Sequence, residues 1–195
     1  SMDWGYSSPG VVLWWACLPD GRYHCRWEHK FKGESAESMS LTIKRITAEL
    51  GIKKLRYLVC DPAMRQKTGA GRGESIFETL LRRRLPMRGG DNDRFNGWMR
   101  VHELLRVNEQ GQAWLTVSPS CKYLIRTFPA MVQDRQDPED IDTTKDDHAV
   151  DALRYFCMSR PSPTRHTTLA PPPPNSWGWW EQYHAREQAG KGVLA

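Results

Sequence analysis

The sequence predicts an α/β domain in which a central sheet is covered by helices on both faces. Strand-like and helix-like segments alternate along the chain after a first pair of strands, and such alternation is typical of this class. The length of 195 residues suits about one domain, and 39% hydrophobic residues with nine tryptophans can supply a core. These values exclude a large multi-domain machine and a wholly disordered chain.

The chain opens with a predicted hairpin. Residues 11–18 are continuously apolar, Pro19-Asp20-Gly21 has turn chemistry, and apolar and polar residues alternate over 22–28. A helix is predicted over 35–50, where apolar residues recur at helical spacing before Gly51.

The middle of the chain continues the alternation. A strand over 55–60 is expected to stop at Asp61-Pro62, because proline cannot donate to a strand ladder. A Gly-rich loop over 67–73 then leads into a helix predicted over 74–84. Asp61 is therefore expected at the end of a strand.

The second half predicts four more elements: a helix over 92–106, a short strand over 113–117, a helix over 120–128 and a final helix over 146–159. At about 100° per residue, Asp147, Asp151 and Arg154 share one polar face of the final helix. Its apolar residues lie on the opposite face.

The composition changes after residue 159. Six of the 13 prolines and a cluster of three tryptophans fall in residues 160–195. We therefore predict a folded domain over 1–159 and a Pro- and Trp-rich tail over 160–195.

Charge and cysteine usage indicate the cellular setting. The net charge of +5 makes a polyanion a reasonable partner, and five widely spaced cysteines suit free thiols in a reducing compartment. The longest apolar run, residues 11–18, is far short of the roughly 20 residues of a membrane helix. The expectation is a soluble, intracellular protein without a membrane partner.

Acidic residues recur where a sheet can bring distant segments together: Asp3, Asp61, and the group Asp146, Asp147 and Asp151. Converging carboxylates repel one another and need a cation, and oxygen ligands favour Mg²⁺ or Mn²⁺. Two such ions can support phosphodiester cleavage. Taken singly, each aspartate is more often a turn or cap residue, so the prediction depends on their joint arrangement.

Four segments together resemble the nuclease domain of the large terminase subunit of tailed bacteriophages. They are Met2-Asp3-Trp4-Gly5-Tyr6, Cys60-Asp61-Pro62-Ala63, residues 92–98 and residues 146–155. The resemblance implies a ribonuclease H-like fold with a mixed sheet and a metal-dependent endonuclease that cuts concatemeric double-stranded DNA during genome packaging. It also implies two Mg²⁺ or Mn²⁺ ions, an N-terminal ATPase domain, the portal and the small terminase subunit as partners, and action in the host cytoplasm.

Residue by residue, the resemblance makes Asp3, Asp61 and Asp147 catalytic metal ligands, with Asp151 as a fourth ligand or a residue behind the ligands. His148 is expected beside the site rather than on a metal. Only two residues precede Asp3, fewer than is usual in the family, and the chain has no Gly-x-x-x-x-Gly-Lys-Ser/Thr pattern for an ATPase.

Basic residues are candidates for contacting DNA phosphates. The candidates are Arg65, Lys67, Arg72, Arg82, Arg83, Arg84 and Arg94. For the run over 82–84, a solvated helix face is an equally good interpretation.

Two other interpretations stay open. One is a Holliday-junction resolvase or transposase-like nuclease of the same fold, which would prefer branched DNA. The other is a non-catalytic DNA-binding adaptor domain, which would not nick DNA at any metal concentration.

Overall fold

The computed structural model describes residues 1–67, 73–107, 111–132, 140 and 146–160. All of them belong to one unit, Ser1–Pro163. The Gly-rich loop is described only at its two ends, so the expectation for Arg72 lies outside the described residues. The same holds for the predicted tail beyond Arg160.

A mixed sheet of six strands forms the centre of the described part of the chain. The strands are β1 (Met2–Asp3), β2 (Gly10–Cys17), β3 (Tyr23–Phe31), β4 (Leu58–Cys60), β5 (Met87–Gly89) and β6 (Leu115–Val117). Their order across the sheet is β5-β4-β1-β2-β3-β6. Strand β2 runs antiparallel to β1 and β3, while the other three neighbouring pairs are parallel.

Helices cover both faces of this sheet, as predicted. They are α1 (Ala36–Glu49), α2 (Ile76–Arg82), α3 (Arg94–Leu105), α4 (Lys122–Thr127) and α5 (His148–Met158). Helices α3, α4 and α5 pack on the face that carries Val11 and Leu13, whereas α1 and α2 pack on the face that carries Val12 and Trp14. Strand β2 is continuously apolar because both of its faces are buried. None of the helices in the described ranges is long and apolar enough to cross a membrane.

The predicted elements are present, and their ends differ by a few residues. The strand predicted over 55–60 begins only at Leu58, and the helices start and stop slightly inside their predicted bounds. Local capping fixes the starts: the Ser75 hydroxyl accepts from the Glu78 N–H while the Glu78 carboxylate accepts from the Ser75 N–H. The residue pattern alone does not indicate β1 or β5, which have two and three residues.

Candidate active site

Asp3 and Asp61 lie side by side at one end of the sheet. Met2 pairs with Cys60 across the parallel strands β1 and β4, so the residues that follow each of them are neighbours. Adjacent strands are about 4.8 Å apart. Met2 and Cys60 face the α1 and α2 side, and alternation turns Asp3 and Asp61 toward the α5 side. As predicted, Asp61 directly follows its strand.

The Asp3 carboxylate is buried against α5. Only 7% of the residue is exposed, and its Oδ2 lies 3.0 Å from Nδ1 of His148. Burial raises the pKa of Asp3 to about 6, and the charges of Asp151 and Asp61 also raise it, while the hydrogen bond from His148 lowers it. In turn, the bond to Asp3 raises the pKa of His148. His148 therefore lies beside the Asp3 carboxylate.

Asp147 caps the start of α5 through its backbone rather than its side chain. Its carbonyl oxygen accepts from the N–H groups of Val150 and Asp151, at 2.8 Å and 2.9 Å, and its carboxylate makes no capping bond. Burial, followed by the charge of Asp151, raises the pKa of Asp147. The positive end of the helix dipole favours the ionised carboxylate, whereas burial and a like charge disfavour it.

Asp151 is held by two arginines. Arg154 donates from Nε to Oδ1 at 3.0 Å, and Nη1 of Arg94 lies 3.4 Å from each carboxylate oxygen. The Arg154 side chain is fully buried, which the helical wheel did not predict, since it placed Arg154 on the polar face. Asp151 is therefore an oriented carboxylate whose charge acts on both Asp3 and Asp147.

The segment 92–98 builds the enclosure around Arg154. Asn92 Oδ1 accepts from Nη2 of Arg154 at 3.3 Å, and the guanidinium carbon lies 5.8 Å from the Trp98 ring centroid. A Cβ on Gly97 would lie 2.7 Å from Cγ and Cδ of Arg154, so only glycine fits there without displacing the arginine. This segment carried the family resemblance, and the structure gives it a physical role.

Asp146 is engaged elsewhere. Its side chain accepts a hydrogen bond from the Tyr123 hydroxyl, and the Arg126 Nη2 lies 3.6 Å from Oδ2. The carboxylate of Asp146 therefore belongs to the α4 side of the site.

Within the described ranges, no three His, Cys, Asp or Glu side chains are placed so that they hold a metal ion as they stand. Asp3 instead bonds His148, and Asp61 Oδ1 accepts from the Ala63 N–H at 2.8 Å. The donor set nevertheless fits a hard divalent cation in its chemistry. It offers carboxylate oxygens, and burial together with the charges of neighbouring aspartates raises the pKa of Asp3 and of Asp147.

The predicted phosphate-binding residues that the structure describes fall into three groups: Arg65 with Lys67, Arg94, and the run over 82–84. Arg65 and Lys67 are exposed and follow Asp61 closely, and the Arg65 guanidinium carbon lies 4.4 Å from the Phe77 ring centroid. Arg94 instead bonds Asp140 and Asp151.

The run over 82–84 lies at the other end of the sheet. The Leu58 N–H donates to the Pro86 carbonyl at 2.8 Å, so this run lies where β4 begins, whereas Asp61 lies where β4 ends. Arg82 also pairs with Glu74, at 2.8 Å.

Comparison with known proteins gives a consistent result. The family model described as Terminase RNaseH-like domain matches residues 1–160. The large terminase of a thermophilic bacteriophage is similar in structure, with a TM-score of 0.65 at 19% identity over 82% of this chain and 38% of that one. The P22 large terminase nuclease domain has a TM-score of 0.54 at 16% identity over 81% and 78% of the two chains. No curated protein matches the sequence. The chain thus spans well under half of the thermophilic phage protein.

Proposed function

Because the chain belongs to the Terminase RNaseH-like domain family, we propose that it is a metal-dependent endonuclease that cuts concatemeric double-stranded DNA during viral genome packaging. The observation that carries this proposal is the buried carboxylate of Asp3, which lies beside Asp61 and faces the carboxylates at the start of α5. A fold accepts such repulsion where a bound cation or substrate relieves it.

Mg²⁺ or Mn²⁺ would be held by Asp3, Asp61, Asp147 and Asp151. A pair of such ions supplies an activated water and stabilises the leaving oxygen of a phosphodiester. The protein's own groups prepare these ligands. His148 orients Asp3, and Arg154 with Arg94 orients Asp151, because ligating carboxylates are themselves fixed by hydrogen bonds.

The whole protein is proposed to contain more than this chain. One structure of the thermophilic phage large terminase is a complex with ATP-γ-S, and the matched part of that chain is 38%. We propose an ATPase domain N-terminal to the present residues, together with the portal and the small terminase subunit as partners in the host cytoplasm.

The domain limits are also a proposal: a nuclease domain over 1–159 and a separate tail over 160–195. Helix α5 ends at Met158, and the described residues up to 160 share one unit. Deleting residues 177–195 should leave plasmid cutting unchanged. Loss of cutting in this truncated protein would assign the tail to the active domain.

The nuclease proposal is tested by incubating supercoiled plasmid with the protein and Mn²⁺ or Mg²⁺. The parent protein should nick and linearise the plasmid, and Asp61→Asn should not, because it keeps the side-chain volume and removes the charge. A matched control is Asp20→Asn, at the exposed turn between β2 and β3 at the opposite end of the sheet. This variant should cut like the parent.

The outcomes separate the three interpretations. A folded parent that never nicks at any metal concentration supports an adaptor domain. Faster cutting of a four-way junction than of linear duplex supports a resolvase-like enzyme. An Asp61→Asn variant that cuts as well as the parent contradicts the assigned site.

A further inference from the structure

Two exposed cations surround one buried tyrosine near the start of α5. The Nζ of Lys30 lies 3.9 Å from the centroid of the Tyr123 ring, and the Arg126 guanidinium carbon lies 5.4 Å from it. Tyr123 is 7% exposed, whereas Lys30 and Arg126 are exposed to solvent. We call Lys30, Tyr123 and Arg126 the α4 flank. A cation against an aromatic face loses some of its freedom. Arg126 also lies 3.6 Å from Asp146 in an exposed pair, and its side chain remains 67% exposed to solvent.

The register of the sheet places this flank level with the carboxylates. Asp3 pairs with Val11, and Val11 pairs with Lys30, so the three residues form one row across β1, β2 and β3. Residues directly opposite one another point to the same face, and Val11 packs with α5. Lys30 therefore shares the face of Asp3, about two strand spacings or roughly 10 Å away along the row.

Helix α4 is fixed in this position from both sides. The Glu28 carboxylate on β3 accepts from the N–H groups of Tyr123 and Leu124, at 2.5 Å and 2.9 Å, and so caps the start of α4. On the other side, the Tyr123 hydroxyl donates to Asp146, which directly precedes Asp147. The flank is thus built onto the segment that carries the α5 carboxylates.

Cations also lie on the opposite side of the carboxylates. Arg65 and Lys67 follow Asp61, and β4 lies on the far side of β1 from β3. Both residues lie toward α2, however, since Arg65 packs on Phe77 and the charge of Lys67 acts on Glu78. They are therefore on the other face of the sheet from Lys30, whereas the α4 flank shares the face of the carboxylates.

We infer that the α4 flank binds backbone phosphates of duplex DNA and holds the strand beside the carboxylates. The inference rests on the proposed nuclease function for its ligand. It assigns phosphate contacts to residues on β3 and α4, in place of the basic run over 82–84 at the other end of the sheet. Phosphate contacts fix position and carry no sequence information, so binding here should be independent of base sequence.

The test is DNA binding in EDTA, measured by fluorescence anisotropy on a labelled duplex over a range of salt concentrations. EDTA removes free divalent cations, and the Asp61→Asn background should prevent cutting independently, so the DNA is expected to stay intact during the measurement. In this background, Lys30→Glu with Arg126→Glu should weaken binding at least about tenfold and reduce the salt slope by about 2, since each lost phosphate contact removes about 0.9. Circular dichroism confirms folding.

The matched control is Lys44→Glu with Lys53→Glu. It makes the same change in charge near α1, on the opposite face of the sheet, and should leave affinity and slope unchanged apart from a small general effect. Single Lys30→Gln and Arg126→Gln variants introduce no new carboxylate, and each should reduce the slope by about 1.

Equal affinity and slope for the flank and control variants would overturn the inference. If the flank variants lose binding to single-stranded DNA but not to duplex DNA, duplex DNA is not the ligand of the α4 flank. The parent protein could fail to cut plasmid while the flank variants still lose DNA binding. That result would support DNA binding by the α4 flank and contradict the nuclease proposal, so the two failures are distinguishable.

Discussion

The two ends of the central sheet differ in the chemistry of their side chains. At the end where β1 and β4 finish, Asp3 is buried with a raised pKa, and Asp147 and Asp151 lie at the start of α5. At the opposite end, a cavity of about 360 Å³ is lined mainly by apolar and aromatic side chains, among them Trp15 and Phe156. These two rings stack with centroids 4.0 Å apart.

The two ends contribute to stability with opposite signs. The stacked rings at the cavity end stabilise the fold by packing, whereas burial of like charges at the other end destabilises it. In open α/β sheets, ligands bind outside the carboxyl ends of parallel strands, which is where Asp3 and Asp61 lie. The following predictions test this contrast.

The largest effect is expected for Asp3→Asn. Plasmid cleavage should fall by roughly 10³-fold, because the variant removes the charge of a proposed metal ligand. The same variant should be more stable than the parent in EDTA at pH 7.5. The folded-state pKa of about 6 lies above the ordinary 3.8, so the parent loses stability as the pH rises from about 4 to 6 and does not recover it above that.

The gain in free energy of unfolding should be at most about 3 kcal/mol, reduced by the loss of the bond to His148. Thermal unfolding at pH 3 and pH 7.5 measures it, and the gain should vanish at pH 3. Mn²⁺ should raise the Tm of the parent more than that of the variant. The exposed Asp20→Asn is the control, and a similar gain there would remove the site-specific explanation.

The second prediction concerns the two carboxylates of α5. From the sequence we expect Asp147→Ala to abolish cleavage and Asp151→Ala to weaken it, since Asp147 lies in the first turn. In the structure, Asp151 is oriented by Arg94 and Arg154 and its charge raises the pKa of Asp3, so its loss should also reduce cleavage.

Plasmid nicking across a Mn²⁺ titration of both folded variants decides between them. If Asp147→Ala does not nick the plasmid and Asp151→Ala nicks it more slowly than the parent, Asp147 is supported as the third metal ligand. An active Asp147→Ala beside a dead Asp151→Ala moves the third ligand one turn along the helix.

Much of this end of the sheet could be predicted from the sequence. The Asp-Pro step places Asp61 at a strand end, and helical spacing puts Asp147 and Asp151 on one face of a helix. The segments that carry these three aspartates can therefore be identified from local sequence patterns. The helical wheel could not predict the burial of Arg154, because that burial depends on contacts with Gly97 in α3 and with Asn92 in the segment before α3. Distant partners are invisible to local periodicity.

For the basic run over 82–84, the sequence leaves DNA contact and a solvated helix face equally open, and DNA contact stays a prediction. The crossover from β4 through α2 to β5 carries this run to the end of the sheet where β4 begins. Composition shows what a segment can bind, and only the topology shows which end of the sheet it occupies.

The third prediction addresses the buried Arg154. Arg154→Met keeps most of the volume but leaves the Asp151 carboxylate with one fewer partner inside the protein, which typically costs about 3–5 kcal/mol. Urea unfolding measures the change. The control is Arg45→Met, which breaks an exposed pair with Glu49 and should cost less than about 1 kcal/mol. Similar losses in both variants would show that Arg154 does not support the site.

The smallest effect is expected at Arg84, which ends the basic run with a φ of 61°. This left-handed conformation is unfavourable for a residue with a Cβ and costs glycine nothing, so Arg84→Gly should raise the free energy of unfolding by up to about 1 kcal/mol. Arg84→Ala removes the same charge without relieving the backbone and should give no such gain. Because the run lies away from the carboxylates, both variants should bind duplex DNA with the parent's salt slope. A slope reduced by about 1 in both would return this run to the DNA-binding surface and weaken the contrast between the two ends of the sheet.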